Sequence, residues 1–328
     1  MTEKNLLEMV LPDPVLSAFE LPLRAVFHPY GFPLELATNS PHVIAAAEEG
    51  WRRFQPHSHA PAARFEVGVV PGSNDPLPPQ SAFRSRENLM IAVADAENFL
   101  ALDFNRDFGH AWITESVAAD HTLVRYRFLT AGALTLLEKR HFAALHCGLV
   151  MRSGRGVALF GDSLAGKSTL SYACARAGWT FVCDDGAFLV RGGSDRYAVG
   201  DPFALRLRED ARTLFPELEG RMPVVRPNGK VGIEIFTSEL PVQIAQGCSI
   251  DHIVFLNRTD CGSAGISRYS RDSTLDWFGR YVTFGPAELC TAQLRSYQRL
   301  LTAGIWELRY SALDDAIARL EQLVDSGG

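Results

Sequence analysis

Residues 161–169, Gly-Asp-Ser-Leu-Ala-Gly-Lys-Ser-Thr, constrain the fold of this chain more than any other segment. They fit the phosphate-binding pattern G-x-x-x-x-G-K-[ST]. The apolar run 157–160 predicts a buried strand before the loop, and residues 168–177 predict a helix after it, with Gly178 as its stop. A strand, a glycine loop and a helix N-terminus in this order direct backbone N–H groups at an anion. The segment therefore predicts a nucleoside triphosphate site.

Different residues of the loop are expected to bind different parts of the nucleotide and its Mg²⁺ ion. Lys167 should reach the β- and γ-phosphates, and the Ser168 hydroxyl should ligate Mg²⁺. We therefore expect ATP or GTP, together with Mg²⁺, as cofactors. The candidate nucleotide-binding residues of the loop are Gly161, Asp162, Ser163, Ala165, Gly166, Lys167, Ser168 and Thr169.

Composition argues against several classes of protein. The 328 residues are 47% hydrophobic and 21% charged, which is typical of a globular protein with a full core. A net charge of −6 argues against a nucleic-acid partner. No segment approaches the roughly 20 apolar residues of a membrane helix, and the N-terminus lacks a secretory apolar stretch. The 6 cysteines are scattered without a C-x-x-C pair, so we expect reduced thiols and a cytoplasmic location.

The pattern of predicted elements changes near residue 140, which indicates two domains, 1–140 and 141–328. The first is expected to be an α+β domain with a substrate, partner or assembly role. In it, a helix over 40–54 packs on an antiparallel meander with strands at 64–70, 89–93, 98–103 and 110–114. A mainly helical connector over 122–137 leads into the second domain.

In the second domain strands alternate with helices, which favours an α/β fold with a mostly parallel sheet. After the loop and its helix, the predicted strands are 179–183, 187–190, 196–199, 231–235, 252–256 and 305–310. The predicted C-terminal helices are 287–303 and 313–324.

Two adjacent carboxylates, Asp184 and Asp185, directly follow the strand predicted at 179–183. In an open α/β sheet the C-terminal ends of the strands form the ligand crevice. Phosphoryl transfer needs one carboxylate to help hold Mg²⁺ and another to accept a proton from the attacking hydroxyl. A solvated turn before Gly186 is the alternative interpretation.

Loop residues 161–168, Gly178 and the pair Asp184–Asp185 closely resemble the catalytic domain of bacterial HPr kinase/phosphorylases and their stand-alone relatives. The resemblance covers about residues 140–260 and includes Leu145–Gly148, which is similar to the family's histidine segment. It implies a P-loop kinase core of the HPr kinase and PEP carboxykinase type, with a mixed sheet. It also implies that ATP phosphorylates a serine hydroxyl.

Carried over by position, the resemblance implies roles for single residues. Asp184 would be the catalytic base, and Asp185 would support the metal and orient the site. Lys167 and Ser168 would hold phosphate and Mg²⁺, and His146 would line the site. A histidine that follows an apolar run is equally typical of a structural residue.

Two segments depart from HPr kinase itself. Residues 1–140 show no likeness to that enzyme's N-terminal domain, and Ala204 stands where the family carries a metal-site glutamate. The chain thus resembles the shorter kinase relatives, some of which phosphorylate serine on peptide precursors such as lasso peptides. HPr kinases are hexamers, so the resemblance allows a homo-oligomer. The expected partners are a nucleoside triphosphate and a peptide or small-protein phosphoacceptor.

Three cations are candidates for stabilising charge on the transferring phosphoryl group, namely Arg206, Arg208 and Lys230. The alternation in 204–208 puts both arginines on one strand face. An exposed strand face has the same pattern, so both interpretations stay open.

The residues favour a phosphotransferase, which the resemblance implies is a P-loop serine kinase, over two other functions. A GTPase is suggested by Asn257–Asp260, which imitates the guanine-binding motif N-K-x-D, but arginine replaces the lysine and no D-x-x-G precedes it. A non-catalytic module that uses nucleotide to sense or bind a peptide is the other alternative. Such a module would not need the base at Asp184.

Overall fold

The structure is a computed structural model that describes residues 20–78, 80–192, 195–225, 229, 231–260, 262–282 and 287–326. The chain divides into two compact units, one ending at Leu136 and the other beginning at Leu137. This division and the predicted one at 140/141 both fall within one helix, Ala131–His141. No helix in the described ranges combines the length and apolar character needed to span a membrane.

The first unit is a sheet with a helix packed on it. Its strands are β1 (Leu23–Phe27), β2 (Leu34–Thr38), β3 (Ala63–Val70), β4 (Ala82–Arg86), β5 (Leu89–Val93), β6 (Phe99–Asp103) and β7 (Phe108–Thr114). Its helices are a 3-10 turn (Pro29–Gly31), α1 (Pro41–Trp51), α2 (Glu115–Ala119), α3 (His121–Val124), a π-helical stretch (Arg125–Thr130) and α4 (Ala131–His141), which continues into the second unit.

The sheet of the first unit is mixed. In the order β1-β2-β3-β7-β6-β5-β4, β3 runs parallel to both β2 and β7. Helix α1 connects β2 to β3 and buries Val43, Ala46, Ala47 and Trp51. The predicted antiparallel meander is therefore correct only for β5–β7, since β3 pairs with β7 in parallel. The prediction missed β1, β2 and β4, and without β2 the helix has no earlier strand to connect in parallel.

The second unit contains the predicted phosphate loop, residues 161–169. Its strands are β8 (Phe142–Leu145), β9 (Gly148–Arg152), β10 (Arg155–Phe160), β11 (Thr180–Cys183), β12 (Ala187–Val190), β13 (Tyr197–Gly200), β14 (Ala204–Leu207), β15 (Val224–Val225), β16 (Val231–Phe236), β17 (Gln243–Ile244), β18 (Gly247–Arg258), β19 (Gly265–Arg268) and β20 (Gly304–Tyr310). Its helices are α5 (Lys167–Arg176), α6 (Arg271–Gly279), α7 (Ala287–Leu300) and α8 (Leu313–Asp325), with 3-10 turns at Glu209–Thr213, Pro216–Leu218 and Thr237–Glu239.

The main sheet of the second unit is also mixed, with the order β17-β11-β9-β10-β18-β13-β12-β8 and with β20 paired to β18. Strands β10, β18 and β20 are parallel, whereas β9 runs antiparallel to both of its neighbours, β10 and β11. The mostly parallel sheet is therefore wrong as a prediction, and the mixed sheet that the resemblance implied is found. The prediction failed because it did not include β9, which lies between the two strands that carry the loop and the acidic pair.

Helices cover both faces of this sheet. On one face, α5 and α8 pack on β10, β18 and β20 through residues such as Leu170, Cys174 and Leu320. On the other face, α6 and α7 contribute Trp277 and Tyr297 to a second apolar cluster. The small sheet β14-β16-β15 packs against a further side of α5. Helix α5 is therefore held between two sheets, which fixes the position of the loop that precedes it.

The cysteines agree with the predicted reduced state. Cys147, Cys174, Cys183 and Cys248 are buried free thiols, and Cys290 is half-buried. Burial raises the pKa of each of the four buried thiols, which keeps them protonated and unreactive. Cys261 lies outside the described residues.

Gly156 allows β10 and β18 to approach each other at an irregularity in their register. A Cβ atom at this position would overlap the carbonyl oxygen of Ser249 and lie 2.8 Å from Cys248 Sγ. We expect Gly156→Ala to lower the free energy of unfolding by about 1–3 kcal/mol, because a strand backbone must move to admit the methyl group. Urea denaturation measures this change.

Gly265→Ala is the matched control, because Gly265 also lies in a strand and a Cβ there would meet nothing within 4 Å. We expect it to change the free energy of unfolding by about 0.5 kcal/mol or less. Equal losses in the two variants would contradict the steric explanation.

Candidate functional site

The phosphate loop leaves β10 and enters α5 with unusual backbone angles. Gly166 has φ of +96°, and a Cβ there would lie 2.7 Å from the hydroxyl of Tyr310. That hydroxyl donates to the carbonyl oxygen of Ala165 at 3.1 Å, so β20 supports the loop from outside. Leu164 has φ of +75°, a left-handed conformation that costs energy for a leucine. Strain of this kind is typical of ligand-binding loops.

Lys167 is the first residue of α5, and its amine lies inside the loop. Its Nζ donates to the carbonyl oxygens of Gly161 at 2.8 Å and Asp162 at 3.3 Å. The side chain is only 6% exposed, and burial lowers the pKa of the amine while the charge of Asp185 opposes that shift. A cation at a helix N-terminus, where backbone N–H groups point outward, forms a cradle that fits a phosphate group.

The acidic pair lies against the first turn of α5. The Ser168 hydroxyl donates to the carbonyl oxygen of Asp184 at 3.4 Å. Gly148, at the start of β9, permits this approach, because a Cβ there would overlap Ser171 Oγ and lie 3.3 Å from the same carbonyl oxygen. The phosphate loop and the end of β11 therefore meet at one place.

The carboxyl group of Asp184 is buried, with 4% of the residue exposed. Its Oδ2 accepts a hydrogen bond from the backbone N–H of Arg206 at 3.0 Å. Burial raises the pKa of this carboxyl to about 6, although the charge and N–H of Arg206 oppose the rise and Asp185 adds to it. A carboxyl group with such a pKa can exchange a proton near neutral pH.

Asp185 has the opposite environment, since its side chain is 59% exposed. The Nδ1–H of His146 donates to the backbone carbonyl oxygen of Asp185 at 3.0 Å, and the same nitrogen lies 3.4 Å from Oδ1. The carboxylate of Asp185 keeps acceptor sites open to solvent and to a cation. The predicted residues His146, Ser168, Asp184 and Asp185 thus lie together beside the loop.

The oxygen atoms at the loop suit a cation that arrives with its ligand. Among the described residues, no three histidine, cysteine, aspartate or glutamate side chains cluster closely enough to hold a metal ion. Near the loop are the Ser168 hydroxyl, the backbone carbonyl oxygen of Asp184 and the exposed carboxylate of Asp185, whose charge acts on Lys167. Mg²⁺ usually binds one or two carboxylates together with substrate phosphates and water. These residues therefore fit Mg²⁺ bound with a nucleotide.

The three candidate cations have different positions. The guanidinium of Arg206 pairs with Glu234 on the neighbouring strand β16, with Nε 3.1 Å from Oε1. Its backbone N–H binds the carboxyl group of Asp184, and its charge also acts on that carboxyl. Arg208 follows the end of β14, and its Nε lies 3.7 Å from Asp210 Oδ1. Lys230 lies outside the described residues.

The segment that imitates a guanine-binding motif has its amide engaged within the sheet. Asn257 Nδ2 donates to Glu307 Oε1 on the adjacent strand β20 at 3.0 Å. A base-reading asparagine would need that amide for the nucleotide.

Two residues beside the loop were missed by the sequence analysis. Arg280 follows α6, and its NH1 lies 3.9 Å from Oδ1 of Asp162 in the phosphate loop. The ring of Tyr281 lies 5.8 Å from the ring of His146. One feature of the sequence could have indicated the helix that precedes these two residues. Ser270 is a typical N-cap residue, and its hydroxyl accepts the N–H of Ser273 at the start of α6.

Comparisons with known proteins show only a remote likeness. No protein-family model and no curated protein matches the sequence. Among solved structures, the HPr(Ser) kinase/phosphatase from Coxiella burnetii is similar over 56% of this chain and 99% of its own, with 12% identity and a TM-score of 0.29. A likeness at this level assigns neither family nor function, and the resemblance to HPr kinases stays a prediction.

The raised pKa of Asp184 predicts a pH-dependent effect on stability. Its folded-state pKa of about 6 exceeds the ordinary 3.8, so the free energy of unfolding falls as pH rises between these values. The Asp184→Asn variant has no ionisable group at this position, so its free energy of unfolding does not fall with pH for this reason. We expect the variant to be more stable than the wild type by about 1–3 kcal/mol above pH 7, with the gain disappearing at acid pH.

Chemical denaturation across that pH range tests the expectation. Asp210→Asn is the control, since the Asp210 side chain is 78% exposed. A gain for Asp184→Asn that did not change with pH would show that the carboxyl group has no raised pKa.

Proposed function

We propose that this chain is a phosphotransferase that uses a nucleoside triphosphate and Mg²⁺. The observation that carries the proposal is the hydrogen bond from the Ser168 hydroxyl to the backbone carbonyl oxygen of Asp184, a residue whose buried carboxyl group has a raised pKa. A site that only binds nucleotide needs a cation and backbone N–H groups. A buried carboxyl group with a pKa of about 6 adds a cost in folding free energy. The need for a base that accepts the proton of a hydroxyl nucleophile explains why the protein would carry that cost.

In this proposal the residues around the loop divide the reaction. Asp184 accepts the proton of the acceptor hydroxyl as its oxygen bonds to the γ-phosphorus, and the bond to the β-phosphate oxygen breaks, releasing the diphosphate. Lys167 and the N–H groups at the start of α5 stabilise the phosphate charge. Ser168 and Asp185 would hold Mg²⁺, which supplies further positive charge at the phosphates. Arg206 positions Asp184 through its backbone N–H.

We propose a serine hydroxyl on a peptide or small protein as the acceptor, and ATP as the donor. The support is the similarity of the loop, of Asp184–Asp185 and of His146 to the HPr kinase pattern. The first unit would then hold the acceptor or assemble the protein. The engaged amide of Asn257 gives the GTPase alternative no support.

Asp184→Asn should abolish phosphoryl transfer and leave nucleotide affinity nearly unchanged, because the amide keeps the shape of the side chain but cannot accept a proton. Loss of a general base typically lowers the rate by about 10²–10⁴-fold. Labelled ATP with a serine-peptide library measures transfer, and calorimetric titration measures binding.

Asp210→Asn again serves as the control and should keep full transfer. Normal turnover by Asp184→Asn would refute the base. A wild type that bound nucleotide but labelled neither peptide nor protein would favour the sensor alternative.

Lys167→Ala should weaken nucleotide binding and turnover together, since it removes the buried cation of the loop. The loss of a charge-assisted contact predicts a decrease in triphosphate affinity of about tenfold or more. Titration with a non-hydrolysable ATP analogue measures it, with Lys139→Ala as a control lysine outside the loop. Unchanged triphosphate affinity would exclude the assigned role of Lys167.

A further inference from the structure

Arg280 and the loop lysine approach the same residue from two sides. Lys167 Nζ donates to the backbone carbonyl of Asp162, and Arg280 NH1 lies 3.9 Å from the carboxylate of Asp162. Asp162 is the second residue of the loop, and Gly161 separates it from the end of β10. A phosphate group held by Lys167 would therefore lie within reach of a second, longer cation.

The position of Arg280 is set by the end of α6 and by an aromatic ring. The backbone N–H of Arg280 donates to the carbonyl oxygen of Trp277 at 3.2 Å, and that of Tyr281 donates to Phe278 at 2.9 Å. The guanidinium lies over the ring of Trp277, 4.7 Å from its centre. A cation–π contact of this kind restricts the side chain while its N–H groups stay available.

The present partner of Arg280 is weak enough to be exchanged. The Arg280 and Asp162 side chains are 62% and 84% exposed, and a surface ion pair at 3.9 Å contributes little. A phosphate oxygen would be a better partner, because guanidinium–phosphate hydrogen bonds are charge-assisted and can be bidentate. Arg280 can therefore change from Asp162 to a bound phosphate without losing a strong contact.

The same turn also contacts the acidic side of the site. Tyr281 follows Arg280 and packs against His146, whose Nδ1–H donates to the backbone of Asp185. The pKa of the Tyr281 hydroxyl is raised, first by burial, and Asp162 and Asp185 contribute to that rise. The turn 280–281 therefore lies near both the loop carboxylate of Asp162 and Asp185.

We infer that Arg280 binds the γ-phosphate of the triphosphate, with Trp277 as its positioning residue. This inference rests on the proposed nucleotide site and goes beyond it by assigning triphosphate selectivity to one side chain. A diphosphate lacks the group that Arg280 would contact. The protein should therefore distinguish triphosphate from diphosphate through Arg280, while Lys167 and the loop contribute to binding both.

Calorimetric titration of the full chain with ADP and with a non-hydrolysable ATP analogue, both with Mg²⁺, tests this inference. Arg280→Gln should lose about tenfold in affinity for the analogue, the effect of one charged hydrogen bond, and keep its affinity for ADP. Arg280→Lys should fall between wild type and Arg280→Gln, since an ammonium keeps the charge without the bidentate geometry. Trp277→Phe, which keeps a smaller ring, should lower only the affinity for the analogue.

Arg271→Gln is the matched control. Arg271 is an exposed arginine at the other end of the same helix, about 13 Å away along the axis, so this variant makes the same charge change outside the site. It should bind both ligands as the wild type does, and unchanged ADP binding by Arg280→Gln shows that the variant is folded.

The outcomes separate this inference from the proposed function. Equal losses for both ligands in Arg280→Gln, or no loss for either, would overturn the inference alone. A wild type that bound neither ligand would overturn both proposals. Selective loss of analogue binding, in a protein that transfers no phosphate, would support the role of Arg280 and reject the phosphotransferase.

Discussion

The candidate site depends on the close approach of α5 to the ends of β9 and β11, which the absence of a side chain at Gly148 allows. A methyl group there would meet Ser171 and the carbonyl oxygen of Asp184. Because this space is kept clear, the Ser168 hydroxyl reaches that carbonyl oxygen. Lys167 lies close enough to Asp185 for the charge of that carboxylate to affect the pKa of the lysine. The loop and the acidic pair thus become neighbours through backbone packing, and the proposed chemistry depends on that proximity.

The charges at this junction have different environments, and the difference assigns their roles. Lys167 and Asp184 are buried, whereas Asp185 and Arg280 are largely exposed. Buried groups are held in one geometry at a cost in stability, which is typical of residues that act on a substrate. Exposed groups keep their charge at little cost in desolvation free energy and can exchange partners. Such groups suit contacts with ligands that enter and leave. The buried pair would thus serve the reaction, and the exposed pair would serve the cation and the terminal phosphate.

Local patterns predicted the strand, loop and helix around Lys167 and the strand before Asp184, because each depends on neighbouring residues along the chain. The sheet order was harder, since β9 pairs with β10 and β11 in a register that no periodicity reveals. Arg280 was missed for a related reason. It lies more than a hundred residues from Asp162 in sequence, and α6 shows only a weak amphipathic pattern beyond its Ser270 cap. Contacts that close long loops leave no local signal.

The two-residue turn at Ser153 and Gly154 affects the geometry at the opposite end of strands β9 and β10. Both residues have positive φ, 51° and 79°, as tight hairpins require, and this conformation fixes how β9 lines up with β10. Since β9 begins beside the phosphate loop, with Gly148 opposite Leu159 near the end of β10, the alignment set by the turn also fixes the position of His146, two residues before β9. A slip of one residue would carry the imidazole away by about 3 Å and invert every side chain of β9. The turn thereby sets the spacing between His146 and the phosphate loop, although both lie some distance from it along the chain.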